Sequence, residues 1–374
     1  NLSARLLPYN KDESGADPLA ALRAMADRVV AQGVRVVEGV LTGDDTAYLW
    51  EPFPDGWSVD DPIYEYGAPV SALTMNDNSF KVVVLPGATV GSPATLTLTP
   101  TLEYLTIHNR TETVAIGPAR IQYSRIPGSR ELIVSGTILL DAGEPLTAVL
   151  AIDDPALFAV EALRKLLEER GVRIEGQTRA IHRRPDEGAS SWTGIEIASH
   201  ESAPLSQILQ VINKVSQNLH TELVLREIAR VKNGVGSRSG GLKEIAEYLA
   251  EPGIVKDQWN FEDASGLSRL TLVTPLTISE VLLGMYKTPF REAWIATLPV
   301  GGVDGTLEKR FHKMPQAERI HAKTGSISHV SALSGYAMRE DGRTYVFSVL
   351  ANNFNARPAL IREAIDQIVL ALLE

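Results

Sequence analysis

Two short stretches carry residue types able to do chemistry together. Lys214-Val215-Ser216-Gln217-Asn218 places a hydroxyl and a carboxamide two residues apart, and far downstream stands His321-Ala322-Lys323-Thr324-Gly325-Ser326. On a regular helix, residues two apart are rotated by about 200°, so Ser216 and Asn218 would point opposite ways. They share a pocket only where the helix breaks. The sequence allows a break there. Leu205, Ile208, Leu209, Ile212 and Val215 form one apolar stripe, and Leu219, Leu223 and Ile228 form another. Asn218 is a favoured N-cap for the second helix. The plain alternative is a capping Asn218 with an incidental Ser216. If Lys323-Thr324-Gly325 is a strand, Lys323 and Gly325 face one side and Thr324 the other. A glycine inside a strand weakens it and often marks the close approach of a ligand. An edge strand here can take an extended peptide by β-augmentation, with the lysine adding positive charge beside it. The alternative is a solvated lysine before a turn. Singly, each tripeptide is weak.

The elements that must hold these stretches are legible from periodicity. Residues 196–374 predict helices over 204–214, 219–231, 241–250, 277–286 and 358–373. Strands follow at 320–326, 329–338 and 344–351, the last two joined by an Asp341-Gly342 turn. The closing helix carries Leu360, Ile361, Ala364, Ile365, Ile368, Val369 and Leu372 on one stripe. Helices followed by an antiparallel sheet and a closing helix give a three-layer domain. Upstream, residues 19–30 and 155–170 are amphipathic helices, each running into a similar strand. Gly33-Val34-Arg35-Val36-Val37-Glu38-Gly39 parallels Gly171-Val172-Arg173-Ile174-Glu175-Gly176. This is a repeated helix–turn–strand unit within one domain. Between the copies, Val, Thr, Leu and Ile dominate, with alternation at Leu96-Thr97-Leu98-Thr99, as in half-buried strands. A polar, linker-like stretch spans His182–Ser191.

Composition limits the function classes. The chain has 374 residues, 44% hydrophobic and 22% charged, which fits a soluble multidomain protein. A net charge of −10 argues against a nucleic-acid partner. No apolar run approaches the roughly 18 residues of a transmembrane segment. The chain has no cysteines, so disulfides and thiolate nucleophiles are excluded. There is no Gly-x-Ser-x-Gly and no His-Glu-x-x-His, and nothing suggests a metal or other cofactor. Gly301-Gly302-Val303-Asp304-Gly305 lacks the Gly-Lys-Ser/Thr ending of a phosphate loop and reads as a loop near the cleft. His321 and His329 flank the Lys-Thr-Gly strand and receive no role. Asp263 and Arg269 are expected to order their loop. Trp57, Tyr64 and Tyr66 are expected in the core or at a domain interface.

Taken together and in order, the two tripeptides match two of the three motifs of β-lactamases and penicillin-binding proteins. Their neighbours extend the likeness: NKVSQNLHTELVLR (213–226), DASGLSRLTLVTP (263–275), LPVGGVDGTLEKRF (298–311), HAKTGSISHVSALSGYAMREDGRTYVFSVLANN (321–353) and YGAPVSALTMNDN (66–78). The chain resembles class C low-molecular-mass penicillin-binding proteins, the penicillin-binding-protein-4 type of D-alanyl-D-alanine carboxypeptidase/endopeptidase. The resemblance implies a multi-domain α/β protein. A β-lactamase/transpeptidase-like three-layer domain with an antiparallel sheet (196–374) would be joined to an accessory α/β domain (1–80 and 146–195) carrying an inserted β-rich domain (81–145). It also implies catalytic roles for Ser216, Asn218 and Lys323. Ser216 would relay a proton to the leaving amine, Asn218 would bond the acyl-side amide, and Lys323 would set the electrostatics. Thr324, Gly325 and Ser326 would bind the substrate carboxylate and backbone. The implied partners are peptidoglycan stem peptides ending in D-alanyl-D-alanine and β-lactam antibiotics, in a periplasmic or extracytoplasmic location. An esterase or hydrolase of the β-lactamase superfamily, or a non-catalytic peptidoglycan-binding homologue, are the alternatives.

One motif is missing. None of the eleven lysines has a serine three residues before it, so there is no Ser-x-x-Lys. The chain opens Asn1-Leu2-Ser3-Ala4-Arg5, with neither an initiator Met nor a signal-peptide pattern. The expectation is a cut through a longer protein whose earlier part carries the nucleophile, a processed N-terminus being the alternative. A complementary N-terminal segment is then expected to cover apolar surface on the sheet and on the 358–373 helix, and the chain alone is not expected to be stable.

Overall fold

The structure is a computed structural model and describes residues 17–126, 128–188, 193–311 and 314–374. The first part runs α1 (Ala20–Ala31), β1 (Val36–Val37), β2 (Leu41–Leu49), β3 (Ser79–Leu85), β4 (Thr95–Thr99), β5 (Thr106–Val114), β6 (Arg120–Arg125), β7 (Glu131–Leu139), β8 (Leu146–Ala151), α2 (Pro155–Glu168), β9 (Arg173–Ile174) and β10 (Thr178–Arg183). The repeated unit folds as one body. β1 pairs in parallel with β9, β2 pairs in parallel with β10, and α1 and α2 pack together. Between the repeats lie two three-stranded sheets, ordered β4-β3-β8 and β5-β7-β6. Leu96 and Leu98 point inward on β4, as their alternation predicts. One buried cluster runs through both halves, joining Leu22 and Ala26 of α1, Val82 and Val84 of β3, Val134 of β7, and Phe158 and Leu166 of α2.

His182 corrects the linker reading of its stretch, because it belongs to β10. Its Nδ1 lies 3.0 Å from Asp45 on β2, and its Nε2 lies 3.3 Å from Asp154, the N-cap of α2. Trp50 stacks on the ring at 3.9 Å, and Ser71 donates to the same Asp45 at 2.8 Å. Burial opposes the charge on His182, but the Asp154 and Asp45 carboxylates outweigh it and raise the ring to about 9. The imidazolium thus ties β2, β10 and α2 together. Residues 189–191 of that stretch lie outside the described residues.

The second part runs α3 (Leu205–Val215), α4 (Asn218–Asn233), α5 (Arg238–Ala250), β11 (Trp259–Asn260), β12 (Leu272–Val273), α6 (Pro275–Tyr286), α7 (Arg291–Thr297), β13 (Ile320–Ile327), β14 (Val330–Met338), β15 (Thr344–Asn352) and α8 (Pro358–Leu370). The last three strands form an antiparallel sheet ordered β13-β14-β15. α8 covers one face through Ile365 and Val369 against Leu333 and Phe347. α6 and α7 cover the other through Leu282 and Ile295 against Tyr336. This is the expected three-layer arrangement. Gly335 is forced by it, since a Cβ there would sit 2.1 Å from the His321 carbonyl oxygen on β13.

The predicted stripes face inward for most of their length, but their margins do not. Leu205, Leu360 and Ile368 are exposed, while α8 turns Ile361, Ile365, Val369 and Leu370 inward. On α4, Ile228 is exposed while His220, Glu222 and Arg226 are buried. Leu219 and Leu223 stay inward as predicted, and polar pairing accounts for the buried charges beside them. His220 Nε2 meets Asp77 at 2.9 Å, and Arg226 donates to Glu222 at 3.0 Å. Asp77 lies within Asn76-Asp77-Asn78, where all three residues have positive φ, a conformation that Asn and Asp tolerate best.

Candidate active site

α3 ends at Ser216, whose backbone is left-handed (φ 62, ψ 51). For a serine this costs of order 1–2 kcal/mol, so the surroundings must hold it. The break turns the chain between α3 and α4 and brings both side chains of Ser-x-Asn to one end of the helix pair. Gln217, not Asn218, is the N-cap of α4, with its side chain accepting from Leu219 N at 3.0 Å. This corrects the capping expectation and frees the Asn218 carboxamide, whose Nδ2 donates to the Tyr66 carbonyl at 2.9 Å. The upstream part thereby grips the start of α4. Leu219 packs with Val70, and His220 with Asp77.

β13 brings the second motif to the first. Lys323 Nζ donates to Ser216 Oγ at 2.7 Å, and to the Thr324 carbonyl at 2.7 Å. Burial alone pushes the amine down to about 8, within reach of neutral-pH proton transfer. The Thr324 hydroxyl turns the other way and donates to Thr306 at 2.8 Å. Ser326 is exposed further along the strand. β13 is an edge strand among the described residues. Pro299–Gly301 pairs with its first half, through Ala322 N to Pro299 O at 3.0 Å and Gly301 N to Ile320 O at 2.9 Å. The strand beyond, from Lys323, presents its outer edge with no ladder partner among the described residues. Folding does not demand glycine at 325, because a Cβ there would meet only Ala332, at an ordinary 3.4 Å. Glycine leaves room for a ligand backbone along that edge. Lys323, Thr324 and Gly325 also line an apolar cavity of about 450 Å³, walled by Leu249, Ile278, Leu282 and Trp294 among others.

Two buried carboxylates that sequence reasoning missed or undervalued shape the third side. Glu222 accepts from the backbone N–H groups of Ala264 and Ser265, both at 2.8 Å. Asp263 accepts from Ser268 N at 2.8 Å, Thr271 Oγ1 at 2.8 Å and Trp57 Nε1 at 3.2 Å. Together they fix the 263–271 loop, as expected for Asp263, and place Trp57 at the interface. Arg269 reaches from this loop to the Ser328 carbonyl at 3.4 Å. Glu222 and Arg226 stand four apart on α4, and that spacing is the one signal that pointed to their pairing. Thr306 and Tyr66 touch site residues too, but nothing in their spacing showed it.

A Ser-x-Asn turn facing a Lys-Thr-Gly edge strand across a three-layer domain defines the class of the β-lactamases and penicillin-binding proteins. Residues 11–372 match the family described as D-Ala-D-Ala carboxypeptidase 3 (S13), and the chain belongs to that family. It is 35% identical over 357 residues to the D-alanyl-D-alanine carboxypeptidase of Actinomadura sp. (strain R39), covering 92% of this chain and 65% of that protein. It is 28% identical over 337 residues to the penicillin-sensitive carboxypeptidase A of Dictyostelium discoideum, covering 85% of this chain and 62% of that protein. The chain therefore spans less than two thirds of the length of these relatives. The crystal structure of penicillin-binding protein 4 from Haemophilus influenzae shares the fold, with a TM-score of 0.82 at 20% identity, covering 95% of this chain and 79% of that one.

Proposed function

We propose that this chain supplies two walls of a serine D-alanyl-D-alanine carboxypeptidase/endopeptidase pocket acting on peptidoglycan stem peptides. The nucleophile comes from a Ser-x-x-Lys outside these 374 residues. Its Oγ bonds to the carbonyl carbon of the penultimate D-alanine as the lysine of the same Ser-x-x-Lys takes the hydroxyl proton, which passes back through Lys323 and Ser216 to the leaving amine. The peptide C–N bond breaks as Ser216 Oγ gives its proton to the departing amine, and Lys323 Nζ returns a proton to Ser216. Water then hydrolyses the ester. β-Lactams acylate the same serine and remain. Asn218 bonds the acyl-side amide, Thr324 and Ser326 take the terminal carboxylate, and Gly325 leaves room for the substrate backbone. Residues 1–80 and 146–195 are the accessory domain, 81–145 its insertion and 196–374 the penicillin-binding domain. The setting is periplasmic or extracytoplasmic, and among the described residues no helix is long and apolar enough to cross a membrane.

The observation that carries this reading is the 2.7 Å contact between Ser216 and Lys323 beside the edge of β13 that has no ladder partner among the described residues. The apolar cavity next to Lys323 supports a seat for the nucleophile-bearing segment. Fluorescent penicillin tests it. The 374-residue chain alone should stay unlabelled, while the protein that includes the Ser-x-x-Lys segment should label covalently and lose the label on Lys323→Ala. A complete protein that refuses the label overturns the reading.

A further inference from the structure

The Ser216–Lys323 contact joins a strained turn to an edge strand, so something must hold the two in register. One loop touches both. Pro299–Gly301 pairs with the start of β13. Thr306 accepts from the Thr324 hydroxyl at 2.8 Å. Between these points, Asp304 Oδ2 meets Lys214 Nζ of α3 at 2.6 Å, and Asp304 Oδ1 accepts from Val300 N at 2.8 Å. Gly305, at φ +55, lies flat against the same turn of α3, where a Cβ would sit 2.4 Å from the Lys214 carbonyl oxygen. Asn213, one residue earlier, donates to Thr297 at 2.8 Å. Lys214 stands two residues before Ser216, and its side chain is only 12% exposed, so its ammonium depends on Asp304 for compensation.

We infer that residues 299–306 form a splint between the two motifs, and that Asp304 is its positioning residue, holding the last turn of α3 so that the Ser216 hydroxyl meets Lys323. This gives the Gly-Gly-Val-Asp-Gly stretch a purpose that its lack of a phosphate-loop ending left open. The purpose rests on the acyl-transfer reading; the register of the two side chains does not. Asp304 touches no reacting atom. It acts through Lys214 on the backbone that carries Ser216. His321 and Lys214 face Asp304 from β13 and α3.

NMR of the lysine side-chain resonances of the protein that includes the Ser-x-x-Lys segment reads the contact without substrate. An acceptor hydroxyl favours the charged amine, so Ser216→Ala should move the titration of Lys323 down from its place near 8. Asp304→Asn and Lys214→Met should both move it down by about half a pH unit, and neither should add to Ser216→Ala. As remote charges the two would act oppositely: losing the carboxylate would lower Lys323, and losing the ammonium would raise it. An upward shift in Lys214→Met overturns the inference. So does an Asp304→Asn shift of equal size with and without Ser216, or a Ser216→Ala that leaves Lys323 unmoved. Should Asp304→Asn fail to fold, Lys214→Met decides by its sign. The titration needs no penicillin, so a failed splint and a failed acyl-transfer reading show in different experiments.

Discussion

Two half-buried cations sit on strands in the two halves of this protein, in opposite surroundings. His182 on β10 is held between Asp45 and Asp154, and its charge is raised into stability. Lys323 on β13 has a hydroxyl and a carbonyl for hydrogen-bond partners, and burial depresses it. A compensated cation fastens elements together. A cation left without a carboxylate partner is held near the pH at which it can exchange a proton, at a cost in stability. The buried Glu222–Arg226 pair belongs with His182, because each of its charges is answered.

The largest break in this contrast comes from Glu222→Gln. It leaves Arg226 buried without its carboxylate, and urea unfolding should show a loss of about 3–5 kcal/mol. A loss under about 1 kcal/mol would mean that the Glu51 carbonyl, already 3.1 Å from Arg226, suffices. Next comes His182, whose folded value lies above its unfolded one. Its contribution is full below pH 6.5, the ordinary value for histidine, and disappears as pH rises through about 9. Wild type should lose up to about 2 kcal/mol across that window relative to His182→Ala, after discounting for solvent screening at this half-buried site. A parallel pair of stability–pH curves would remove the imidazolium from its fastening role. Lys323→Met should act in the other direction. Lys323 has a folded value below its unfolded one, so its cost is full below about pH 8 and fades at higher pH. Its removal should stabilise the protein at pH 7 by about 2 kcal/mol, after discounting for the partly exposed site. An unchanged or lowered Tm would mean that the amine is compensated after all.

Much of the second half was legible because its signals are local. The Asp341-Gly342 turn fixes the hairpin, and the apolar periods of α3 to α6 exceed the noise of single residues. Strand pairing of the repeat was foreshadowed by Gly-Val-Arg recurring before β1 and β9. The misread face of α4 has one cause. Periodicity counts apolar residues, and α4 buries His220, Glu222 and Arg226 because their partners come from Asp77 and the 263–271 loop, far away in the chain. Asn218 was read as a cap because asparagine favours that place, but the Gln217 side chain occupies it and leaves Asn218 to Tyr66.

The sequence alone determined the two motifs, the three-layer order of elements around them, and the lack of a Ser-x-x-Lys in these 374 residues. Those are matters of residue type and spacing along the chain. Only the tertiary structure decided that Ser216 takes a left-handed turn and, among the described residues, that Lys323 loses solvent without gaining a carboxylate and that β13 keeps its outer edge open from Lys323 onward. Each depends on which distant groups are brought near, and charge, burial and strand pairing act through space.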